Sequence, residues 1–399
     1  MKILVCNAGS TSLKFKLLEM PQEIVYCEAK VERVGSESTA IYVYINLIQN
    51  IKDYQENLCI PNYEAGIRLF LDSMTNPEMG VLDSVSELDG IGYKTVLSKG
   101  FYGVHELTEE VMQGMRDYLF IAPVHNTAYL KAITQFKTIL PETPMIGVFE
   151  TAFHTTIPQE RRHYSVPYEW YEKYGIMKMG YHGASHEYVA QKAESQGKAE
   201  YIISCHLGGS CSICAIHNGQ SVDNSFGFSL QTGVMHANRC GDIDPYIFPY
   251  LMDQGLTTEE ILNALSSNGG LRGMSGVSND LRDIMLAKKE GNKRADLAVN
   301  AFVNDIVHYI GAFYAELGGL DQLVFTGGIG ENSNDIREMV CNVLKHMGIL
   351  LDEKRNESSR EGLISQPESK VLVSIIPANE ELGVARRTYV AVCNASNKN

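Results

Sequence analysis

Two stretches half a chain apart share one layout. The first is Leu4-Val5-Cys6-Asn7-Ala8-Gly9-Ser10-Thr11-Ser12-Leu13-Lys14-Phe15-Lys16-Leu17. An apolar run enters a small polar turn, and an alternating run leaves it, with lysines between Leu13, Phe15 and Leu17. That pattern reads as strand, tight loop, strand. The second is Tyr201-Ile202-Ile203-Ser204-Cys205-His206-Leu207-Gly208-Gly209-Ser210-Cys211-Ser212-Ile213-Cys214-Ala215-Ile216, closed by the hairpin signal Asn218-Gly219. One supersecondary unit repeated at this distance implies an internal duplication, and so two similar domains.

Taken alone, either loop is an ordinary hairpin turn, for which Asn, Gly and Ser are common. Taken as a pair, they read as phosphate cradles. Hydroxyls, an amide and small residues let backbone N–H groups approach a ligand, and Lys14 adds a mobile positive charge. Two such hairpins facing each other would form a nucleotide cleft between two domains.

The chain is long enough for that plan, with 399 residues. Hydrophobic residues at 44% and charged residues at 21% fit a globular protein. A net charge of −14 without a basic block argues against a nucleic-acid partner. Anionic substrates must therefore meet locally gathered Arg, Lys or His. No apolar run approaches the roughly 20 residues that cross a bilayer. Met1-Lys2-Ile3 leads straight into a strand, without a signal-peptide layout. A cytoplasmic protein without membrane partners is expected, with its nine cysteines reduced.

Further elements follow from pattern. Residues 42–45 and 88–96 read as strands, 61–76 as a helix, and Thr108 as the cap of another. Pro144–Phe149 reads as a short strand with Glu150 at its C-terminal end. Residues 1–150 thus alternate as an α/β domain. Residues 151–179, broken by Pro158 and Pro167, read as irregular and as a domain boundary. Beyond it come helices over 184–196 and around 302–317, strands over 323–326 and 371–376, and a terminal helix over 382–393.

Several polar residues stand where chemistry is expected. Lys94 follows an apolar strand, and Glu150 and Glu380 follow others; strand C-termini in α/β sheets face the ligand crevice, and carboxylates there commonly hold Mg²⁺. Gly327-Gly328-Ile329-Gly330-Glu331-Asn332 follows a strand but is not a clean dinucleotide fingerprint, and alone it is a plain glycine turn. His182 and His186 have the i, i+4 spacing of a zinc pair, but Gly183 and the missing Glu argue against it, and His182 suits donation to a transferring anion. Cys211 and Cys214 form a C-x-x-C without a matching pair, and strand periodicity sends them to opposite faces, so they read as core residues. Arg239 either clamps an anion bidentately or pairs with Asp242 or Asp244.

Together these stretches resemble the acetate kinase family, of the acetate and sugar kinase/actin/Hsp70 superfamily. Its motifs run in order along the chain: 7–14, Ala122-Pro123-Val124-His125-Asn126, 149–154, 180–186, 205–208, 239–245, Ser278-Asn279-Asp280, 325–332 and Asn379-Glu380-Glu381-Leu382. The resemblance implies an α/β fold of two duplicated actin-like, ribonuclease H-like domains. It assigns residues 1–150 with 382–399 to the first, the last helix returning to it, and 151–381 to the second, which binds nucleotide and dimerises. It implies a homodimer that converts a short-chain carboxylate, acetate foremost, and ATP into an acyl phosphate and ADP, with Mg²⁺ or Mn²⁺.

Carried over by position, Asn7 and Glu380 would place the metal. Ser10, Ser12, Lys14, His206, Leu207, Gly208, Gly209, Ser210, Asp280, Leu281, Arg282, Gly328, Ile329, Gly330, Glu331 and Asn332 would hold the nucleotide and its phosphates. Glu150, His182 and Arg239 would be catalytic, and Lys94, Val96, Val124, His125, Tyr181 and Leu230 would meet the acid. The chain departs from the family at Lys94 (usually Arg), Glu150 (usually Asp), Gly209 (usually Asn), Tyr181 (usually Phe) and Leu230 (usually Pro). These departures leave propionate or another short acid, or a weakly catalytic nucleotide-binding relative, as alternatives.

Overall fold

The computed structural model describes residues 1–197 and 199–396, which divide into two units. The first comprises Met1–Ala152 with Asn379–Asn399, the second Phe153–Ala378. The first unit is built on strands β1 (Lys2–Gly9), β2 (Ser12–Glu19), β3 (Ile24–Glu32), β4 (Ser36–Asn46), β5 (Ile51–Ile60), β6 (Gly90–Tyr93), β7 (Val104–Glu106) and β8 (Met145–Val148). The second carries β9 (Tyr201–His206), β10 (Ser212–His217), β11 (Gln220–Asn224), β12 (Gln322–Thr326), β13 (Gly362–Leu363) and β14 (Leu372–Ile375).

The duplication is explicit in strand order. The first sheet runs β5-β4-β3-β2-β1-β6-β8-β7 and the second β11-β10-β9-β12-β14-β13. Both contain the same core: a three-strand antiparallel meander, then two strands added in parallel beside the first. β1, with a neighbour on each side, is a nearly continuous apolar run, whereas β2 alternates buried Leu13, Phe15 and Leu17 with more exposed lysines.

In the second unit the sheet is covered on both faces. Cys211, Ile213 and Ala215 pack with the long helix Lys293–Leu317, while Cys214 and Ile216 pack with helix Gly183–Glu194. The two cysteines therefore do lie in opposite core layers, as strand periodicity requires. In the first unit the terminal helix Glu380–Ser396 packs against β6. Gly92 makes room for it, since a Cβ there would lie 2.1 Å from Thr388 Oγ1.

Three expectations change. Residues 151–179 contain short helices at Ala152–Thr156, Gln159–Arg162 and Glu169–Tyr174. Pro158 caps one of them and Pro167 precedes another, because proline suits a helix start as well as a break. Gly327–Asn332 is itself a helical turn and does not merely precede one. The terminal helix begins at Glu380, so that carboxylate lies in a first helical turn.

Candidate functional site

In the first unit the opening loop is a two-residue turn between paired strands, with Gly9 opposite Ser12 and Asn7 opposite Lys14. Ser10 is exposed at its tip, Ser12 is half-buried and Lys14 is exposed. The turn is pinned from behind. Tyr63 Oη lies 2.5 Å from Gly9 O and 3.1 Å from Ser10 O, and Val34 N–H donates to Thr11 O. Tyr63 escaped the sequence reading, because a tyrosine opening a helix carries no motif of its own.

A charged cluster lies in the same unit. Lys94 Nζ is 2.6 Å from Glu380 Oε2 and 3.1 Å from Glu150 Oε1, and all three side chains are largely buried. Burial alone would lower the lysine pKa; the Glu150 and Glu380 carboxylates outweigh it and hold the ammonium well above its ordinary value. Tyr129 Oη donates to Asn7 Oδ1 at 2.9 Å. Burial, the largest effect, holds the Tyr129 phenol protonated, with the nearby Lys94, Glu150 and Glu380 charges also bearing on it. Asn7, Glu150 and Glu380 are oxygen donors suited to a hard divalent cation. Among the described residues no group of three or more His, Cys, Asp and Glu could hold a metal, so a cation here would take further oxygens from a bound phosphate or water.

The residues of this unit expected to meet the acid are spread. Val96 is buried just past Lys94, whereas Val124 and His125 are exposed at the start of helix Pro123–Ile139. Val124 shares a shallow pocket of about 280 Å³ with Ser10, Tyr63 and Lys131.

In the second unit, Gly208, Gly209, Asp280, Leu281, Arg282, Gly328, Ile329 and Asn332 line one pocket of about 600 Å³. Backbone hydrogen bonds lock its two glycine-rich segments together. Leu207 N–H donates to Thr326 O, and Leu207 O accepts from Ile329 and Gly330 N–H at 2.8 and 3.1 Å. Gly327 allows that approach: its φ is +76°, and a Cβ would lie 2.8 Å from Leu207 O. Gly209 and Gly328 are open, with no atom within 4 Å of a Cβ built on either, so a side chain there would occupy pocket space. The residues fit a nucleotide in this sense: bare backbone on one wall and a charged pair on the other. Asp280 caps helix Leu281–Lys289 and ion-pairs with Arg282, whose hydrogen bonds hold its carboxyl down to about 2.

Glu331 Oε1 accepts from Gly327 and Ala378 N–H, both at 2.9 Å. Arg337 is the support that sequence reading missed. Fully buried, it donates to Gly330 O, Glu331 O and both oxygens of Asn356 at 2.7–2.9 Å. Burial pushes its guanidinium down to about 10. A buried arginine whose partners among the described residues are neutral oxygens reads in sequence as an ordinary helix-surface charge.

A second cluster in this unit gathers histidines. His182, in left-handed backbone before helix Gly183–Glu194, stacks on His206 with ring centroids 4.1 Å apart. His206 Nδ1 meets Ser185 Oγ at 2.8 Å. Tyr181 is buried; its hydroxyl donates to Phe228 O at 2.8 Å, and its carbonyl accepts from His154 Nε2 at 2.9 Å. Arg239 donates through Nη1 to Leu230 O, linking two expected site residues. The alternative pairing with Asp242 or Asp244 is not formed among the described residues. Asp242 instead accepts from Gly233 N–H and Tyr309 Oη, and Asp244 from Tyr246 N–H. Ser210 is half-buried at the end of its loop.

Residues 2–386 match the model of the acetokinase family. The chain is 43% identical over 392 residues to acetate kinase of Bacillus subtilis (strain 168), covering 96% of this chain and 98% of that one. Its fold is similar to the crystal structure of Porphyromonas gingivalis acetate kinase, with TM-score 0.86, 38% identity and coverage of 98% and 99%. A propionate kinase from Francisella tularensis subsp. tularensis SCHU S4 gives TM-score 0.86 at 32% identity, with coverage of 98% and 99%. The duplicated α/β units are therefore of the actin-like kind that the resemblance implies, and the chain belongs to the acetokinase family.

Proposed function

We propose that this chain transfers the terminal phosphoryl group of ATP to the carboxylate of acetate, giving acetyl phosphate and ADP, reversibly. A carboxylate oxygen forms the new P–O bond as the bond from the terminal phosphorus to the bridging oxygen breaks. The observation that carries the reading is full-length similarity to relatives named acetate kinase. Propionate is a second acid, favoured by the likeness to a protein named propionate kinase.

The second unit's pocket takes the nucleotide, with Gly208, Gly209, Gly328 and Ile329 leaving backbone bare and Asp280 and Arg282 at its edge. Ser10, Ser12, Lys14, Ser210 and His206 face phosphate oxygens. His182 and Arg239 neutralise charge on the transferring group, the main source of catalysis in such transfers. Lys94 orients the acid as a point charge, held by Glu150. Asn7 and Glu380 would hold Mg²⁺, which when bound neutralises phosphate charge. Val96, Val124, His125, Tyr181 and Leu230 bound the acid's surroundings.

A homodimer fits the exposed apolar side chains of the second unit, among them Trp170, Tyr174, Tyr246 and Tyr250. No helix among the described residues is long and apolar enough to cross a membrane, and a cytoplasmic enzyme drawing on cellular ATP is proposed. Trapping of acyl phosphate by hydroxylamine tests the reaction. Purified protein with Mg-ATP should yield hydroxamate with acetate, less with propionate and least with butyrate. No hydroxamate from any of the three would sink the proposal.

A further inference from the structure

Between the sheet and helix Gly183–Glu194 runs a chain of alternating imidazoles and hydroxyls. His186 is fully buried in it. Its Nδ1 lies 2.8 Å from Ser204 Oγ on β9, and its Nε2 lies 2.7 Å from Ser212 Oγ on β10. The same Ser212 Oγ lies 2.8 Å from Nδ1 of His182. One hydroxyl carries one proton. Ser212 can therefore donate to only one of the two ring nitrogens, and the other must donate to it. The protonation patterns of the two rings are tied together.

We propose that His186, acting through Ser212, is a positioning residue that holds His182 as the doubly protonated imidazolium. The inference rests on the reading of His182 as the group that meets the transferring phosphoryl. An imidazolium carries N–H on both nitrogens. Its Nδ1–H needs a buried acceptor, and Ser212 supplies the lone pair. The Ser212 hydroxyl then donates its hydrogen bond to His186 Nε2, and His186 Nδ1–H donates to Ser204 Oγ. Each donor from His182 Nδ1 to His186 Nδ1 thus finds an acceptor. Burial keeps His186 well below the ordinary histidine value, so its ring stays neutral, and in the Nδ1–H tautomer its lone pair faces Ser212.

Without the His186 acceptor, Ser212 turns its proton toward His182 Nδ1. That hydrogen bond stabilises the neutral ring and weakens His182 as a cation. The titratable groups facing the pair are His206 from β9, at 4.1 Å from His182 and 6.2 Å from His186 by ring centroids, and His154, 5.9 Å from His186. His154 is neutral, pushed down to about 4 by burial. Any charge on His206 opposes the imidazolium, so the acceptor chain works against it. Arg239 is close enough to Cys211 and Tyr181 to interact electrostatically with both.

The test is ring-nitrogen NMR of the full chain labelled with ¹⁵N-histidine, titrated with pH, in wild type, Ser212→Ala, Ser212→Thr and His186→Phe. Wild-type His182 should show a protonated Nδ1 near neutral pH. Ser212→Ala should lower its proton affinity about tenfold and move the alkaline limb of kcat to lower pH by about one unit, leaving the nucleotide KM within about twofold. Ser212→Thr should restore both, and His186→Phe should copy Ser212→Ala. If His186→Phe does not fold, the two serine variants carry the test. An unshifted His182 titration in Ser212→Ala overturns the proposal. The NMR shift without acyl phosphate formation by wild type would leave the linkage standing and remove the kinase reading.

Discussion

Lys94 decides the charge of its surroundings by where it sits. Without its ammonium, Glu150 and Glu380 would be two largely buried carboxylates sharing one small space, and one would have to take up a proton. Removing one partner of a buried charge cluster costs roughly 3 kcal/mol or more. Lys94→Met should therefore lower the urea unfolding midpoint clearly and raise the acid KM at least tenfold, while the ATP KM stays nearly unchanged. An unchanged acid KM would mean that Lys94 is only structural. The sequence marks Lys94 and Glu150 as out of place at strand ends, which is why both were legible. It does not say that they pair, because their partnership is made by sheet order. Tyr63 and Arg337 were illegible for a related reason: most of their partners are backbone carbonyls, which leave no trace in side-chain pattern.

The glycine-rich segments separate local structure from ligand space at the scale of an element. Gly327 and Gly328 are neighbours with opposite requirements. A Cβ at Gly327 meets Leu207 O at 2.8 Å in left-handed backbone, whereas one at Gly328 meets nothing. Gly327→Ala should strain the link between β12 and the second hairpin loop, costing about 1–3 kcal/mol and lowering both thermal midpoint and activity. Gly328→Ala, in a helical turn, should leave the midpoint unchanged or slightly raised while raising the ATP KM severalfold. Thermal melts beside nucleotide titrations check both, and equal behaviour of the two variants would contradict the assignment. Element types were largely legible from periodicity, capping residues and the repeated hairpin. What was not legible was the detail at breaks: prolines over 151–179 start short helices, and the last helix takes in Glu380. A proline excludes a helix interior without choosing between loop and helix start.

At the scale of the molecule, the second unit stores an acid sensitivity. Burial pushes His154 down to about 4 and His236 to about 3, and pushes His186 down as well. Each binds fewer protons folded than unfolded, so its contribution is present above the free-histidine value near 6.5 and is lost as pH falls below it. Each such histidine gives up about 1.4 kcal/mol per pH unit across its window. Urea unfolding at pH 7 and pH 5 should show a marked loss at pH 5, and equal stability would contradict neutral buried rings. The two-unit plan was legible because the duplication is written twice in the chain, and strand order bears it out. The preferred acid was not legible, because it depends on side chains contributed from distant parts of the sequence. The proposed reaction joins a carboxylate to the phosphoryl group of ATP. Phosphorus NMR of the purified protein with Mg-ATP and acetate measures this directly. Acetyl phosphate and ADP should grow in equal amounts; ADP with inorganic phosphate alone, or no ATP consumption at saturating acetate, would contradict it.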